Sequence, residues 1–343
     1  MSKPRGLFDE QIRLEKLSNK QDPLEKLSSH IDFEYFRKPL EKALVSKTDK
    51  SKGGRPAYDV VLMFKILILQ RYYNVSDDAI EYAILDRLSF MRFLGLGINN
   101  PVPDAKTIWL FRDTLQKLNL IDQLFAYLDK QLDRDGIIVH KGKIVDASII
   151  EVPIQRNSRE ENIKLKEGDI PEDWSKNKRK QKDSDAQWTR KNMQNYFGYK
   201  NHIKVDSETK LITGFKVTTA NIADKHVVDS LLDKKEDGAQ PLYGDAAYSS
   251  KELEKLYLKK KILSKVNRQG YRNKLLSTKD EKHNRKSSRI RARVEHVFGF
   301  MANSMNGKFL KYRSFIRNQV GIGLMNITYN LFRLVQMNIA LTK

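Results

Sequence analysis

Three carboxylates stand where a folded chain has little reason to place them. Asp146 interrupts the apolar run Lys143-Ile-Val-Asp146-Ala-Ser-Ile-Ile150, and Asp245 closes Leu242-Tyr-Gly-Asp245 ahead of Ala246-Ala-Tyr-Ser249. Glu295 lies in Arg291-Ala-Arg-Val-Glu295-His-Val-Phe298. An acid inside a run bound for the interior is costly unless it is paired or holds a metal. Carboxylate oxygens are hard ligands suited to Mg²⁺ or Mn²⁺, and a few of them leave coordination sites for water and phosphate. Two such ions can activate an attacking oxygen and stabilise a leaving one in phosphodiester chemistry. Singly, each acid has a plainer reading: Asp146 as a buried acid paired with a lysine, Asp245 as a turn or cap residue, Glu295 as half of a helix ion pair with Arg291. His202, His226 and His296 are read as packing or DNA-contact residues, because the chain has no cysteine and no HExxH spacing. Asn221 and Asp224 are read as a turn and a helix N-cap.

The elements that would position the acids follow from periodicity. Ile144 to Ile150, Tyr199 to Val205 and Leu211 to Thr218 are predicted strands, the last two joined by the turn Asp206-Ser-Glu-Thr-Lys. Asp146 would share a strand face with Ile144, Ser148 and Ile150. A helix is predicted near Asp224, a strand before Asp245, a helix behind a capping box at Ser249-Ser-Lys-Glu252, and a strand over Ile262 to Val266. Glu295 would ride a helix packed through Ile290, Val294, Val297, Phe298 and Met301. This order is an α/β pattern on a mixed sheet covering residues 136–343.

Residues 1–135 read as helices. The segment from Tyr58 to Tyr72 is apolar all round and predicts the centre of a bundle, and Asp77 to Arg87 follows a turn with Ser76 or Asp77 as cap. A third helix opens behind Pro103. Helix, tight turn and helix, with Arg55, Lys65, Arg71, Arg87 and Arg92 scattered over them, resemble a helix-turn-helix module.

Charge narrows the partner. The 343 residues hold 64 Lys and Arg against 43 acids, a net charge of +21, which favours a polyanion over a small neutral substrate. From Lys259 to Arg293 fourteen basic residues face only Asp280 and Glu281, and the run leads into Glu295. Arg285, Lys286, Arg289, Arg291 and Arg293, with Lys308 beyond, are the expected DNA contacts. An insertion at about 155–195, with Lys176, Lys178, Arg179, Lys180, Lys182, Arg190 and Lys191 around Trp174 and Trp188, reads as a solvated loop over most of its length, or as a track for nucleic acid. The amino-terminal residues lack the apolar core of a signal peptide, and the absence of cysteine fits a reducing, cytoplasmic setting. The stretch from Val320 to Leu341 is interrupted by Asn326, Asn330, Arg333, Gln336 and Asn338, and predicts a C-terminal amphipathic helix instead of a membrane span.

The order Asp146, Asp245, Glu295, in the contexts Ile-Val-Asp-Ala-Ser, Tyr-Gly-Asp-Ala-Ala-Tyr and Arg-x-x-x-Glu, resembles the DDE transposases of bacterial insertion sequences. More narrowly it resembles the insertion sequence five family of the insertion sequence four and five supergroup. Gly198-Tyr-Lys-Asn-His202-Ile-Lys-Val-Asp206 and Thr218-Thr-Ala-Asn221-Ile-Ala-Asp224 share the likeness, which spans nearly the whole chain. The resemblance implies an RNase H-like catalytic domain over 136–343 behind an all-helical DNA-binding or dimerisation domain over 1–135. It implies Asp146, Asp245 and Glu295 as ligands of two divalent ions, Mg²⁺ or Mn²⁺. It also implies cutting at terminal inverted repeats of double-stranded DNA, joining of 3′ ends to target DNA, and a homodimer or larger assembly. Arg291 matches the arginine of the family's Tyr-x-x-Arg-x-x-x-Glu-x6-Lys signature, while the tyrosine position holds Ser288 and the lysine position Ala302; Lys308 or Lys311 offers a substitute charge. Two rival readings are a non-catalytic DNA-binding relative and a nuclease of the same fold that only hydrolyses.

Overall fold

The structure is a computed structural model that describes residues 6, 8–45, 56–270 and 275–341, so Arg55, Arg272 and Lys274 lie outside the described residues. The chain divides into two compact units, Met1–Leu124 with Ile327–Lys343, and Phe125–Asn326.

The first unit is helical. Helix α1 (Val60–Tyr73) starts where the Asp59 carboxylate accepts from the N–H groups of Val61 and Leu62, and stops at Asn74 in the left-handed region at φ 49°. It is buried nearly all round, as its composition predicts, and Phe64 meets Phe36 with ring centroids 4.9 Å apart. Ser76 caps α2 (Asp77–Asp86), and Asp104 caps α3 (Ala105–Lys117). Arg112 of α3 donates to both oxygens of Asp77 at 2.6 and 2.8 Å and to Gln70 at 2.8 Å, which locks the three helices together. The other described cations of the helix-turn-helix reading serve this unit as well. Lys65 lies over the rings of Phe33 and Phe93, and Arg87 over Phe90. Arg71 is buried against Asn74, and Arg92 pairs with Asp22 at 2.7 Å. These side chains are occupied by rings, carboxylates and an amide of their own unit.

Helix α4 (Leu120–Arg134) leads into the sheet of the second unit. Its strands are β1 (Lys143–Glu151), β2 (Gln187–Lys191), β3 (Gln194–Asp206), β4 (Ile212–Thr219), β5 (Pro241–Tyr243) and β6 (Leu263–Ser264). The spatial order is β2-β3-β1-β5-β6, with β4 also on β3. Pairings are antiparallel from β2 to β1 and parallel from β1 through β5 to β6, so the sheet is mixed. On one face Val145, Leu231, Leu242, Leu253, Tyr257 and Val266 share a core.

Several elements differ from expectation. The helix near Asp224 is a 3-10 turn, Asp224–His226, followed by the short helix Val228–Leu231. Helix α5 (Lys251–Lys259) is capped by Ser250, one residue later than expected, because Ser249 closes the turn after Asp245. The strand over Ile262 to Val266 shortens to β6, although Lys265 and Asn267 still donate to the carbonyls of Leu242 and Gly244. The Glu295 helix is two helices, α6 (Thr278–Arg291) and α7 (Arg293–Asn303), hinged at Ala292. The insertion is ordered. It carries helices Arg159–Glu167 and Lys176–Gln181, buries Trp174 against Glu161, and ends as β2, hydrogen-bonded to β3. Helix α8 (Phe315–Gln336) is not simply amphipathic. Asn318, Asn326 and Asn330 are buried, and the Asn326 amide exchanges hydrogen bonds with Asn201 of β3 at 2.8 and 3.2 Å. No helix among the described residues is long and apolar enough to cross a membrane.

Gly198 of β3 faces the end of β1 with no room for a side chain. Its φ is +155°, and a Cβ there would sit 2.2 Å from the Ile150 carbonyl oxygen. Gly198→Ala is expected to lower stability by about 1–3 kcal/mol through overpacking, read as a lower denaturant midpoint at unchanged slope.

Candidate active site

Strand β1 is paired with β3 along its whole length, Lys143 opposite Asp206 through Glu151 opposite Gly198. Among the described residues its other edge pairs with β5 at Lys143 and Ile144, and at Glu151 with the segment of Lys308 and Phe309, the Glu151 N–H donating to the Lys308 carbonyl at 2.8 Å. Asp146 lies on the stretch between. Ile144 is opposite Tyr243, and Asp245 follows Tyr243 by two residues, near enough for its charge to act on Asp146. Gly244 permits the close approach: a Cβ there would lie 3.0 Å from the Tyr248 ring and 3.3 Å from Val145. Asp245 also caps the 3-10 turn Ala246–Tyr248, accepting from the Ala247 N–H at 2.9 Å, so its cap role and its place beside Asp146 coexist.

Asp146 is largely buried. Its Oδ1 accepts from the Ala147 N–H at 2.8 Å and its Oδ2 from Arg291 Nη1 at 3.1 Å. Burial pushes its carboxyl up to about 6, and the charge of Asp245 adds to that; the Ala147 N–H, Arg291 and Lys191 at the end of β2 act the other way. Glu295, in the first turn of α7, is 68% exposed, with Oε1 3.8 Å from Arg291 Nη2. Arg291 thus bridges Asp146 and Glu295, while its own Nε is buried with no hydrogen-bond partner among the described residues.

The geometry brings Asp146 and Asp245 together and ties Glu295 to them only through a guanidinium. Among the described residues no group of three His, Cys, Asp or Glu is arranged to hold a metal ion. The Asp146 and Asp245 pair nonetheless has the chemistry a hard divalent cation needs. Both donors are carboxylates, and the burial that raises Asp146, with the charge of Asp245 added to it, is what a cation beside them offsets.

A basic surface leads to the site. Lys282, Arg285, Lys286 and Arg289 recur at helical spacing on α6, exposed and without an ion-pair partner among the described residues. The opposite face of α6 is fixed by polar contacts: Ser288 with Asn267 at 3.0 Å, His283 with the Val266 carbonyl at 3.1 Å, and Asn284 with the main chain of Arg268. Ser288 therefore anchors the helix from the signature tyrosine position. Arg293 is turned to the β3–β4 connection, bonding the Ser207 carbonyl at 2.6 Å and Glu208 at 2.8 Å, apart from the stripe. Lys308 is exposed beside the end of β1. His226 and His296 are exposed. His202 is fully buried and bonds Thr218 at 2.9 Å. Asp224 is not an N-cap; its carboxylate pairs with Lys200 at 2.8 Å. Sequence reasoning passed over Tyr248 and Lys200, whose only signal was their place in the two segments that also hold Asp245 and His202.

Residues 139–331 match the family described as Transposase DDE domain, and residues 12–114 match Transposase domain (DUF772). Among solved structures the chain is similar to a piggyBac transposase, seen by cryo-EM in a synaptic complex with hairpin DNA. The identity is 13% over 92% of this chain and 75% of that chain, with a TM-score of 0.42.

The raised carboxyl of Asp146 sets a sign for stability. Its ionisation is harder in the fold than in the unfolded chain, so a penalty appears as pH rises above about 4 and is complete above about 6. In metal-free buffer Asp146→Asn is expected to match the parent near pH 4 and to exceed it by ~3 kcal/mol at pH 8, read by thermal or denaturant unfolding.

Proposed function

The chain belongs to the Transposase DDE domain family, and we propose that it cuts DNA at the terminal inverted repeats of an insertion sequence of the insertion sequence five family and joins the freed 3′ ends to target DNA. The observation that carries this reading is the pair of carboxylates, Asp146 on β1 and Asp245 at the start of the turn after its parallel neighbour β5, near enough for the charge of Asp245 to act on Asp146. A basic helix face runs from there into Arg291 and Glu295.

In this reading residues 136–343 form an RNase H-like catalytic domain, and residues 1–135 a helical domain for DNA binding or dimerisation. Asp146, Asp245 and Glu295 hold two divalent cations, Mg²⁺ or Mn²⁺. When bound, such ions lower the pKa of the attacking oxygen and neutralise the leaving one. The protein supplies position. In the first step water attacks the phosphorus at the element's end, the P–O bond to the 3′ oxygen breaks, and a 3′-hydroxyl is released. In the second that hydroxyl attacks a target phosphorus in line, displacing the target's own 3′ oxygen. Arg291, already at hydrogen-bond distance from Asp146, is placed to exchange carboxylate for phosphate, two of whose tetrahedrally disposed oxygens its planar guanidinium can also engage. Arg285, Lys286 and Arg289 follow the backbone of the duplex outside the site, with Lys308 and Arg293 flanking it. Two copies of the chain hold the two ends, and the work is done in the bacterial cytoplasm.

The reading is tested with labelled terminal-repeat DNA and a target plasmid, in Mg²⁺ or EDTA. Metal-dependent 3′ nicks that become joined to the plasmid are expected; binding with neither cutting nor joining overturns it. Asp146→Ala, Asp245→Ala and Glu295→Ala should each abolish nicking while repeat affinity stays within a few-fold, and any that still cuts is no ligand. Replacing Lys286 and Arg289 together by alanine should weaken binding to all duplexes and reduce the slope of log affinity against log salt by about 2.

A further inference from the structure

The connection between β2 and β3 is built at odds with its own backbone. Lys191 pairs with Gln194, which leaves Asn192 and Met193 as a two-residue turn with φ of 49° and 65°. Such turns favour asparagine followed by glycine, because both central residues take left-handed conformations. Asparagine is in place, but methionine stands at the glycine position, and its side chain is 83% exposed. A left-handed methionine that buries so little weakens the fold twice, through its backbone and through apolar surface left in water.

The surroundings of Met193 point to what it meets. Residues Arg190 to Asn195 are all exposed, and Arg190 Nη2 reaches Met193 Sδ at 3.6 Å. Trp188, on the same strand face as Arg190, is half-exposed and rests on Phe197 with ring centroids 5.2 Å apart. No acid lies between Asp185 and Asp206, so the hairpin sets cations and amides around its apolar tip without a single carboxylate. Arginine, lysine, asparagine and glutamine are the side chains that read the minor groove of DNA, and an apolar wedge among them is what parts stacked base pairs.

The hairpin is held firmly at its root. Buried Asp183 accepts from the Ala186 N–H at 3.2 Å and from the Tyr199 hydroxyl at 2.7 Å, which ties the start of β2 to β3. Strand β3 then runs unbroken from Gln194 to Ile203, the residue opposite Asp146. Lys191, next to the turn, is near enough for its charge to act on Asp146.

We propose that the β2–β3 hairpin enters the minor groove at the element's end, where Met193 wedges between base pairs and unstacks them near the scissile phosphate, with Arg190 and Lys191 on the flanking phosphates. The inference rests on the reading that the chain acts on terminal-repeat DNA, and names the element that deforms that duplex.

The test uses the full chain in EDTA, so that nothing is cut, with terminal-repeat duplexes carrying 2-aminopurine at one position after another near the cleavage point. This base brightens when it loses its stacking, and the parent should raise its fluorescence severalfold at neighbouring positions. Met193→Gly gives the turn its preferred residue, so it should melt at or above the parent temperature. It should bind the repeat within a few-fold of the parent yet lose most of the fluorescence rise, which Met193→Leu should keep. A parent that binds the repeat with no rise at any position overturns the proposal. So does Met193→Gly with the parent's rise, or with a lost rise that only follows a lowered Tm. If the parent unstacks the repeat but in Mg²⁺ neither nicks nor joins it, the transposase reading fails, and the fluorescence of Met193→Gly against the parent still decides the role of Met193.

Discussion

Two acids brought near each other, Asp146 on β1 and Asp245 in the turn after β5, set the terms for the second unit. The parallel pairing of β1 with β5 lasts two residues, and Asp146 beyond it is largely buried. Burial above all, with the charge of Asp245 behind it, disfavours the ionised Asp146, and the chain answers with groups that favour it: a backbone N–H, the guanidinium of Arg291 and Lys191. Behind the pair the ring of Tyr248 packs closely over Gly244, in space that a side chain at 244 would take. The arrangement is costly in isolation and suited to a cation, a trade expected where a site is built for chemistry and not for stability.

The acids were legible in the sequence because each contradicts its surroundings. A carboxylate within Lys143-Ile-Val-Asp146-Ala-Ser-Ile-Ile150 stands out against residues that all favour a buried strand. The strands themselves were legible for the same reason, since β-branched runs have few other uses. What stayed hidden depended on partners distant in the chain. Nothing near Asn326 announces that Asn201 completes its hydrogen bonds, so a buried helix read as amphipathic. Ser158, Glu161 and Trp174 organise the insertion through a capping box and a buried indole, and the charges around them masked this. Tyr248 matters through the space left by Gly244, and a missing side chain has no hydrophobic period to betray it.

The cations illustrate how composition misleads about location. Lys65, Arg71, Arg87 and Arg92 look, as a list, like a nucleic-acid surface, yet aromatic faces, carboxylates and the Asn74 amide within their own unit occupy them. Lys282, Arg285, Lys286 and Arg289 have the same chemistry and find no such partners among the described residues. The distinction lies in what the opposite side of the helix can bury. Helix α1 offers apolar groups for a core, into which its cations are drawn by their stems. Helix α6 offers serine, asparagine and histidine, which reach only for main-chain and polar atoms and leave the long cationic side chains outside.

That mode of attachment sets how α6 responds to its surroundings. Between Thr278 and Arg291 the one fully buried side chain is Ser287, so seating this helix removes little apolar surface from water. Its hold on the rest of the unit therefore adds almost nothing to the heat capacity of unfolding and varies little with temperature through that term. Its charge density makes it responsive instead to the counterion atmosphere, so the ionic medium, far more than warmth or cold, governs how firmly this part of the molecule meets a polyanion.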